Sequence, residues 1–525
     1  MKTPSTPRYV ALGLLPILLV GCGGASGDGY TFALTPRLIE GQSPFANSPD
    51  VKLLIKHATG ENEIFLLGTA GSGDTVELSD LPDIAAGSTV GIIAETAGGA
   101  PDQYDPAELV AYGQVLLETD LITSEDNTSL EIFMPQAGAV GELGTLPAKF
   151  ATVGAGVAMV PGGDVFIFGG SENAYQSAGT NRILRMSNTD SDDWDFEKLD
   201  ITMPNVDVDS KLTGLTATTV MVDGEALIFV AGGRPGTEDQ GGIGSNSMGS
   251  FLFDPVSEEV VSTQTKMTEG RSGHRAVLLD NGKVLLYGGW QGFSGQTRPG
   301  SYDLFDPEKE KFTFDLTDGG DYSPAAASLG SNGAMICGGI DATDYSQVAT
   351  CVEISPSGDI GGADDLPEAV FGLAMVALGD GKILATGGVS APTDFQQASP
   401  AIKTAWLYNG NKWSELDSQM ELARAHHMMI PTPEGKIVIV GGVENGAFLF
   451  PPDGPAVLRS EVFDPETLEF ELLGGSLSDA GAGALARYAA YPGEGALVFA
   501  GYDESVGGET ISPTYAFIGF GPDGL

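Results

Sequence analysis

Histidine, cysteine and positive charge are all scarce in this chain. Four histidines in 525 residues leave little material for a nitrogen-ligated metal centre, and three cysteines carry no paired-cysteine zinc signature. A nucleophile elbow and a phosphate loop are missing as well, so no catalytic residue is assigned. Lys and Arg total 25 against 71 Asp and Glu, a formal charge of −46. Such a surface repels nucleic acid and anionic membranes, which excludes a nucleic-acid partner and fits a protein kept soluble in a salty or crowded exterior. The apolar stretch from Tyr9 to Val20 is too short to span a bilayer stably.

What the chain does have is glycine, 75 residues of it, and much of it recurs in register. Phe166-Ile167-Phe168-Gly169-Gly170 is echoed at Leu286 to Gly289, Ile336 to Gly339, Ala385 to Gly388 and Ile439 to Gly442, and more weakly at Val230 to Gly233 and Phe499-Ala500-Gly501. Taking the first glycine, or Ala500, as the marker, the spacings are 63, 56, 50, 49, 54 and 59 residues. Units of that length suit four strands with variable loops. An apolar run precedes each marker, joined to it by turns such as Asp280-Asn281-Gly282-Lys283 and Gly379-Asp380-Gly381-Lys382, which are hairpin signals. About twenty residues beyond the marker comes a third run ending in Phe253-Asp254-Pro255, Phe305-Asp306-Pro307, Tyr408-Asn409-Gly410 or Phe463-Asp464-Pro465. A fourth then opens at Trp194, Val260, Phe312, Trp413 or Phe470.

Glycine pair, aspartate-proline turn and following aromatic together resemble the kelch repeat, over about residues 138 to 525. Arg271-Ser272-Gly273-His274 and Arg424-Ala425-His426-His427 supply the kelch-like lead-in, each Arg 17 residues before its glycine pair. The resemblance implies a seven-bladed β-propeller in which the glycine pair lets sheets approach around a central channel and the aromatic packs between blades. The seventh copy stops at Leu525 without a fourth strand, and Val140-Gly141-Glu142-Leu143 matches Trp413-Ser414-Glu415-Leu416 in pattern. Residues 138 to 146 are therefore expected to supply the missing strand and close a propeller of residues 136–525, which removes an exposed sheet edge.

Residues 30–135 lack the repeat and read as seven short strands, an antiparallel β-sandwich. Val76-Glu77-Leu78-Ser79-Asp80-Leu81-Pro82 with Ala86 to Val90 resembles the prealbumin-like domains of carboxypeptidase regulatory type, and an immunoglobulin-like sandwich fits as well. The expected fold class is all-β throughout, with this small sandwich ahead of the propeller.

The N-terminus opens with Lys2 and Arg8, continues through the apolar stretch and reaches Leu19-Val20-Gly21-Cys22. This resembles a bacterial lipoprotein signal peptide of residues 1–21. The resemblance implies lipid on Cys22, a tether of residues 22–29, and an envelope protein held to the membrane through that lipid. Asp does not follow Cys22, which by analogy with enterobacterial sorting favours the outer membrane. In an exported chain Cys337 and Cys351, facing each other across a hairpin, either form a disulfide or serve as separate small core residues.

Arg271 and Arg424 are the candidate ligand contacts. In a kelch-like propeller the start of that strand lies near the channel mouth, where arginines attract a carboxylate-bearing peptide or glycan; ordinary salt bridges between blades are the competing reading. His274 and His427 hold equivalent positions, each 14 residues before its glycine pair. They count as further ligand-binding candidates, although recurrence favours a structural role, and no metal or other cofactor is expected. Asn188 to Asp193 alternates oxygen ligands as a calcium loop would, but Asp193 stands where the loop needs glycine. The function expected is a non-catalytic binding module whose partner is an envelope protein or glycan. Its rivals are a carbohydrate-active enzyme, mutarotase-like or galactose-oxidase-like, and a structural envelope spacer.

Overall fold

The computed structural model describes residues 17–21, 30–37, 43–69, 84–117 (without 104 and 106–107), 128–145, 154–171 (without 162), 179–188, 194–204, 211–235, 246–289 (without 264–265), 301–316, 324–341, 346–390, 399–446 (without 433–434), 455–477 (without 475), 487–491, 495–499 and 514–519. These residues are almost entirely β-strand and turn, with a short 3-10 turn at Gly330–Asn332. Among them no helix is long and apolar enough to cross a membrane.

Between Val140 and Gly519 the described strands form seven four-stranded antiparallel sheets. Six are each built from strands of one repeat in chain order, as in Arg275–Leu278, Val284–Tyr287, Ser301–Asp306 and Lys311–Leu316, two of them skipping the short strands Ser399–Pro400 and Asn445–Gly446, which pair with each other. The remaining sheet joins Arg487–Tyr491, Gly495–Phe499 and Thr514–Gly519 to Val140–Thr145, with Ile518 opposite Val140 and Tyr515 opposite Gly144. The two ends of the repeat region thus share one sheet. The first strand of each sheet packs beside the first strand of the next, from Arg487–Tyr491 to Gly156–Met159, Leu212–Val222, Arg275–Leu278, Ala325–Ser328, Ala374–Gly379 and Met428–Pro431. Sheets meeting edge-on around their first strands have the architecture of a propeller.

Local chemistry explains why these hairpins form. Asp223 and Gly224 both adopt positive φ, 52° and 87°, as do Asp380 and Gly381 at 51° and 70°. That is the two-residue turn whose twist matches flanking antiparallel strands. The second strand of each repeat is apolar at consecutive positions and buried on both faces, as at Val284–Tyr287 and Ile437–Val440, because neighbouring sheets cover each side. The aromatic that opens a fourth strand stands directly across from the one ending the third. Phe305 opposes Phe312 and Phe463 opposes Phe470, with ring centroids 5.0 and 4.8 Å apart. Phe229 of the preceding repeat stacks on Phe305 at 4.0 Å, so these rings also join sheet to sheet.

Ahead of the repeats, Asn62–Thr69, Asp50–Lys56, Thr89–Glu95 and Leu109–Leu116 form an antiparallel sheet. Ile132 and Met134 join its apolar core. A second sheet contains Ile17–Gly21, Tyr30–Arg37 and Thr128–Phe133. The last two of these strands run parallel, which an all-antiparallel sandwich does not allow for. The long connection between them makes the crossover possible. Lys52 and Glu95 form a fully buried ion pair beneath the sheet. Lys52 Nζ also donates to the carbonyl oxygens of Ala100 and Gln103 at 2.7 and 2.5 Å, pinning the following loop. The segment Val76 to Pro82 that carries the prealbumin-like resemblance, Cys22 and the tether 22–29 lie outside the described residues.

Candidate functional site

The glycine pair creates the geometry on which every candidate residue depends. Gly387 and Gly388 have φ of 61° and 94°, a region open to glycine without steric cost. A Cβ on Gly387 would lie 2.3 Å from the carbonyl oxygen of Arg424 in the next repeat, and one on Gly232 would lie 2.6 Å from that of Arg271. The second glycine then donates its N–H to the same carbonyl, Gly388 to Arg424 and Gly233 to Arg271, both at 2.9 Å. Gly170 does so to Leu212 and Gly339 to Val370. Removal of the side chain is what lets one sheet hydrogen-bond to the next.

The side chains of Arg271 and Arg424 turn the other way, into their own sheets. Arg271 Nη2 lies 2.8 Å from Asp303 Oδ2 and Arg424 Nη2 lies 2.7 Å from Glu461 Oε1, all four side chains fully buried. Each guanidinium also donates Nη1 to the carbonyl of the first glycine of its own pair, Gly288 at 3.2 Å and Gly441 at 3.0 Å. The carboxylates complete the circuit: Asp303 accepts the N–H of Thr268 and Glu461 that of Glu421. Burial draws both arginines below their ordinary values, and the facing carboxylate opposes it. The expectation that Arg271 and Arg424 present themselves to a ligand is therefore corrected. Nor do these ion pairs tie one repeat to the next, because Asp303 and Glu461 lie in the sheet of the same repeat that each arginine leads into. A cation inside a sheet needs its carboxylate beside it, since an unpaired charge there would be strongly disfavoured.

His274 and His427 are likewise enclosed, at 1% and 4% exposure. Their Nε2 atoms meet Thr216 Oγ1 and Thr386 Oγ1 of the preceding repeat at 2.9 Å. The rings lie over the first glycine of that repeat, Gly232 and Gly387. Burial pushes His427 well below the usual imidazole range, aided by Arg424. Both are sheet-to-sheet contacts, which corrects their candidacy as ligand residues. Cys337 and Cys351 are opposite each other in register and joined by a disulfide.

Two residues outside those expectations stand at the inner ends of the sheets. Backbone hydrogen bonds link residues at the starts of neighbouring first strands: Gly214 to Gly154, Gly273 to Gly214 and His426 to Gly372, at 2.6 to 2.7 Å. All five adopt positive φ, and only His426, at 57°, is not glycine. Its imidazole lies against Gly372, with Nε2 enclosed and without a partner among the described residues. Burial, with Arg275 adding to it, lowers His426 to about 3. Arg275, first residue of its strand, is half-buried. The signal for His426 was present in the sequence: it stands 15 residues before its glycine pair, where Gly154, Gly273 and Gly372 stand before theirs.

Among the described residues no three His, Cys, Asp or Glu side chains gather as a metal site requires. No family model matches the chain, and no curated protein matches it. Solved structures do. A fungal alcohol oxidase of the AA5 family, in complex with copper, is 17% identical over 71% of this chain and 75% of its own, with a TM-score of 0.50. The structure of YjhT is 14% identical over 63% of this chain and 99% of its own, with a TM-score of 0.43. The four-stranded sheets and the likeness to the oxidase define a galactose oxidase- and kelch-like β fold.

Proposed function

We propose that this chain is an exported, lipid-anchored binding module: a seven-bladed propeller, behind a small sandwich, that recognises an envelope protein or glycan without transforming it. Seven four-stranded sheets, the last shared by both ends of the repeat region, support the blade number and the closure. The leader ending in Leu19-Val20-Gly21-Cys22 supports export, lipid on Cys22 and an outer-membrane position. The observation that carries the non-catalytic reading is the engagement of the chemistry-bearing side chains. Arg271, Arg424, His274, His427, Cys337 and Cys351 each hold strand to strand or sheet to sheet. Fold alone does not decide between binder and enzyme.

The oxidase likeness favours a second reading, an alcohol- or sugar-oxidising enzyme. Copper would need several ligands together, and among the described residues no three His, Cys, Asp or Glu side chains gather, while His274 and His427 rest on threonines and both non-leader cysteines form a disulfide. They do not fit that metal. Affinity capture from native envelope extract, run beside assays for peroxide release with added copper and for anomeric exchange on a sugar panel, tests the choice. A captured partner with no turnover supports the module; peroxide or accelerated anomeric exchange overturns it.

A further inference from the structure

One turn position carries a carboxylate in two successive repeats, and the two carboxylates meet different partners. Glu258 closes the turn that begins Asp254-Pro255, and Glu310 closes the turn that begins Asp306-Pro307, both with left-handed backbones at φ of 56° and 48°. Glu258 reaches back to the first sheet of the repeat region, where its Oε1 lies 2.7 Å from Arg185 Nη1. Glu197 Oε2 takes Nη2 of the same guanidinium, also at 2.7 Å. A planar cation is thus clasped by two carboxylates between one sheet and the next.

Between the second sheet and the third the same arrangement lacks its cation. Arg185 stands opposite Phe166, three residues before its glycine pair, and the residue opposite the matching Phe229 is Leu252. Glu197, across from Arg185, gives way to Ser262, across from Leu252. Glu310 accordingly accepts the hydroxyl of Ser262 and, among the described residues, pairs with no cation. Lys309 is held by Asp306 at 2.7 Å, and Lys311 stands opposite Asp306 in register. Neither lines the space in front of Glu310.

That space is a cleft of about 420 Å³, lined by Val260, Val261, Ser262, Thr263 and Glu310. Phe253 pairs with Val260 and Leu252 with Ser262, so Val261 is the extra residue of a β-bulge, a distortion that re-aims a side chain. Val261 is 50% exposed, and Val256 in the turn leading into the same strand is 91% exposed. Exposed apolar side chains beside a carboxylate mark a surface suited to another protein.

We propose that this cleft, at the outer rim between the second and third sheets, takes an arginine side chain from a protein partner. The partner's guanidinium would stand toward Glu310 as Arg185 stands toward Glu258, with its methylene stem on Val261 and neighbouring apolar surface covering Val256. This rests on the binding-module reading and names the partner's chemistry. The occupant is a protein and not the free amino acid, because the two valines lie outside the reach of a lone arginine's charge pairing and a free carboxylate is repelled by a chain of net charge −46.

The test is calorimetric titration of the full chain with three probes: end-blocked leucyl-arginyl-leucine, the same peptide with citrulline, whose neutral urea keeps the arginine shape, and free arginine. The arginine peptide should bind about tenfold or more tightly than either of the others. Glu310→Gln should remove that preference with an unchanged melting temperature, since Glu310 is exposed. Val261→Arg should fill the cleft from within the chain and abolish binding. Glu308→Gln, an exposed carboxylate that does not line the cleft, should change affinity less than about twofold. Equal binding of the arginine and citrulline peptides, binding that survives Glu310→Gln, or an equal loss in Glu308→Gln overturns the site, the last by showing general attraction to an acidic surface. Free arginine binding as tightly as the peptide overturns the protein partner. Capture of an envelope protein equally by wild type and Glu310→Gln leaves the module reading standing and removes this cleft alone.

Discussion

Arg424 Nη2 and Glu461 Oε1 stand 2.7 Å apart with neither side chain reaching solvent. The pair ties the lead-in of the repeat to its third strand, while the arginine's carbonyl receives the N–H of Gly388 from the repeat before. One residue thereby holds its own sheet together and fastens it to its neighbour. Arg271 with Asp303 and Gly233 repeats the arrangement three sheets away.

Breaking that pair on one side should be expensive. Arg424→Met leaves Glu461 buried and uncompensated, so stability should fall by about 3–5 kcal/mol, and Glu461→Gln should cost a comparable amount. Urea unfolding midpoints check this. The double variant Arg424→Met, Glu461→Met should regain much of the loss; a double variant as unstable as the sum of the singles would contradict a pairwise interaction.

Alanine at Gly387 should act through a different route. Its Cβ would fall 2.3 Å from the carbonyl of Arg424 at a φ of 61°, combining backbone strain with a clash, roughly 2–4 kcal/mol in all. Alanine at Gly435, where φ is 83° but nothing lies within 4 Å, should show the strain alone, about 1 kcal/mol. Thermal unfolding of the two variants separates the contributions.

Acid should weaken the fold through His427. Its folded-state value lies well below 6.5, so above pH 6.5 neither state binds the proton and it contributes no pH dependence. As pH falls below that point the unfolded chain takes the proton and the native chain does not. Between pH 7.5 and 5.5 the stability of wild type relative to His427→Gln should drop by about 1.4 kcal/mol. Unfolding titrations of both proteins at the two pH values provide the measurement, and comparison with the variant cancels the response of the many carboxylates.

The disulfide closes a loop with a sequence separation of 14, worth about 3 kcal/mol in the chain-entropy picture. Cys337 and Cys351 should resist alkylation until reductant is added, after which both should react, with a mass shift that counts them. Replacing both by alanine should lower the unfolding midpoint by the corresponding amount.

Deleting residues 136–147 removes the strand Val140–Thr145 that pairs with Thr514–Gly519. The melting temperature should fall sharply, since an exposed edge and an opened core are left behind. An unchanged melting temperature would show that the terminal pairing contributes nothing.

How much of this was legible beforehand varies from residue to residue. The glycine pairs announced the sheets, because a fixed steric need recurs wherever two sheets approach, and a recurring need leaves a recurring letter. The short pattern at Val140 to Leu143 marked the shared terminal sheet for the same reason. Arg271 and Arg424 were found by the same periodicity but read in the wrong direction. Spacing puts a residue at a strand's start, yet whether its guanidinium turns toward solvent or toward Asp303 and Glu461 depends on partners 32 and 37 residues away. The loops 236–245 and 290–300 lie outside the described residues, as do Ala500-Gly501 and Asp190 to Asp193.

By itself, the sequence determined the all-β class, the repeat, its hairpin turns and the acidic surface, because each follows from local sterics or simple charge. Only the tertiary structure decided which charges are neutralised. It buried Arg271 and Arg424 beside carboxylates and placed Arg275, four residues along the same chain, opposite Tyr287 with no carboxylate paired to it among the described residues. That difference lies in how sheets distant in sequence meet around their first strands, and no local pattern encodes it.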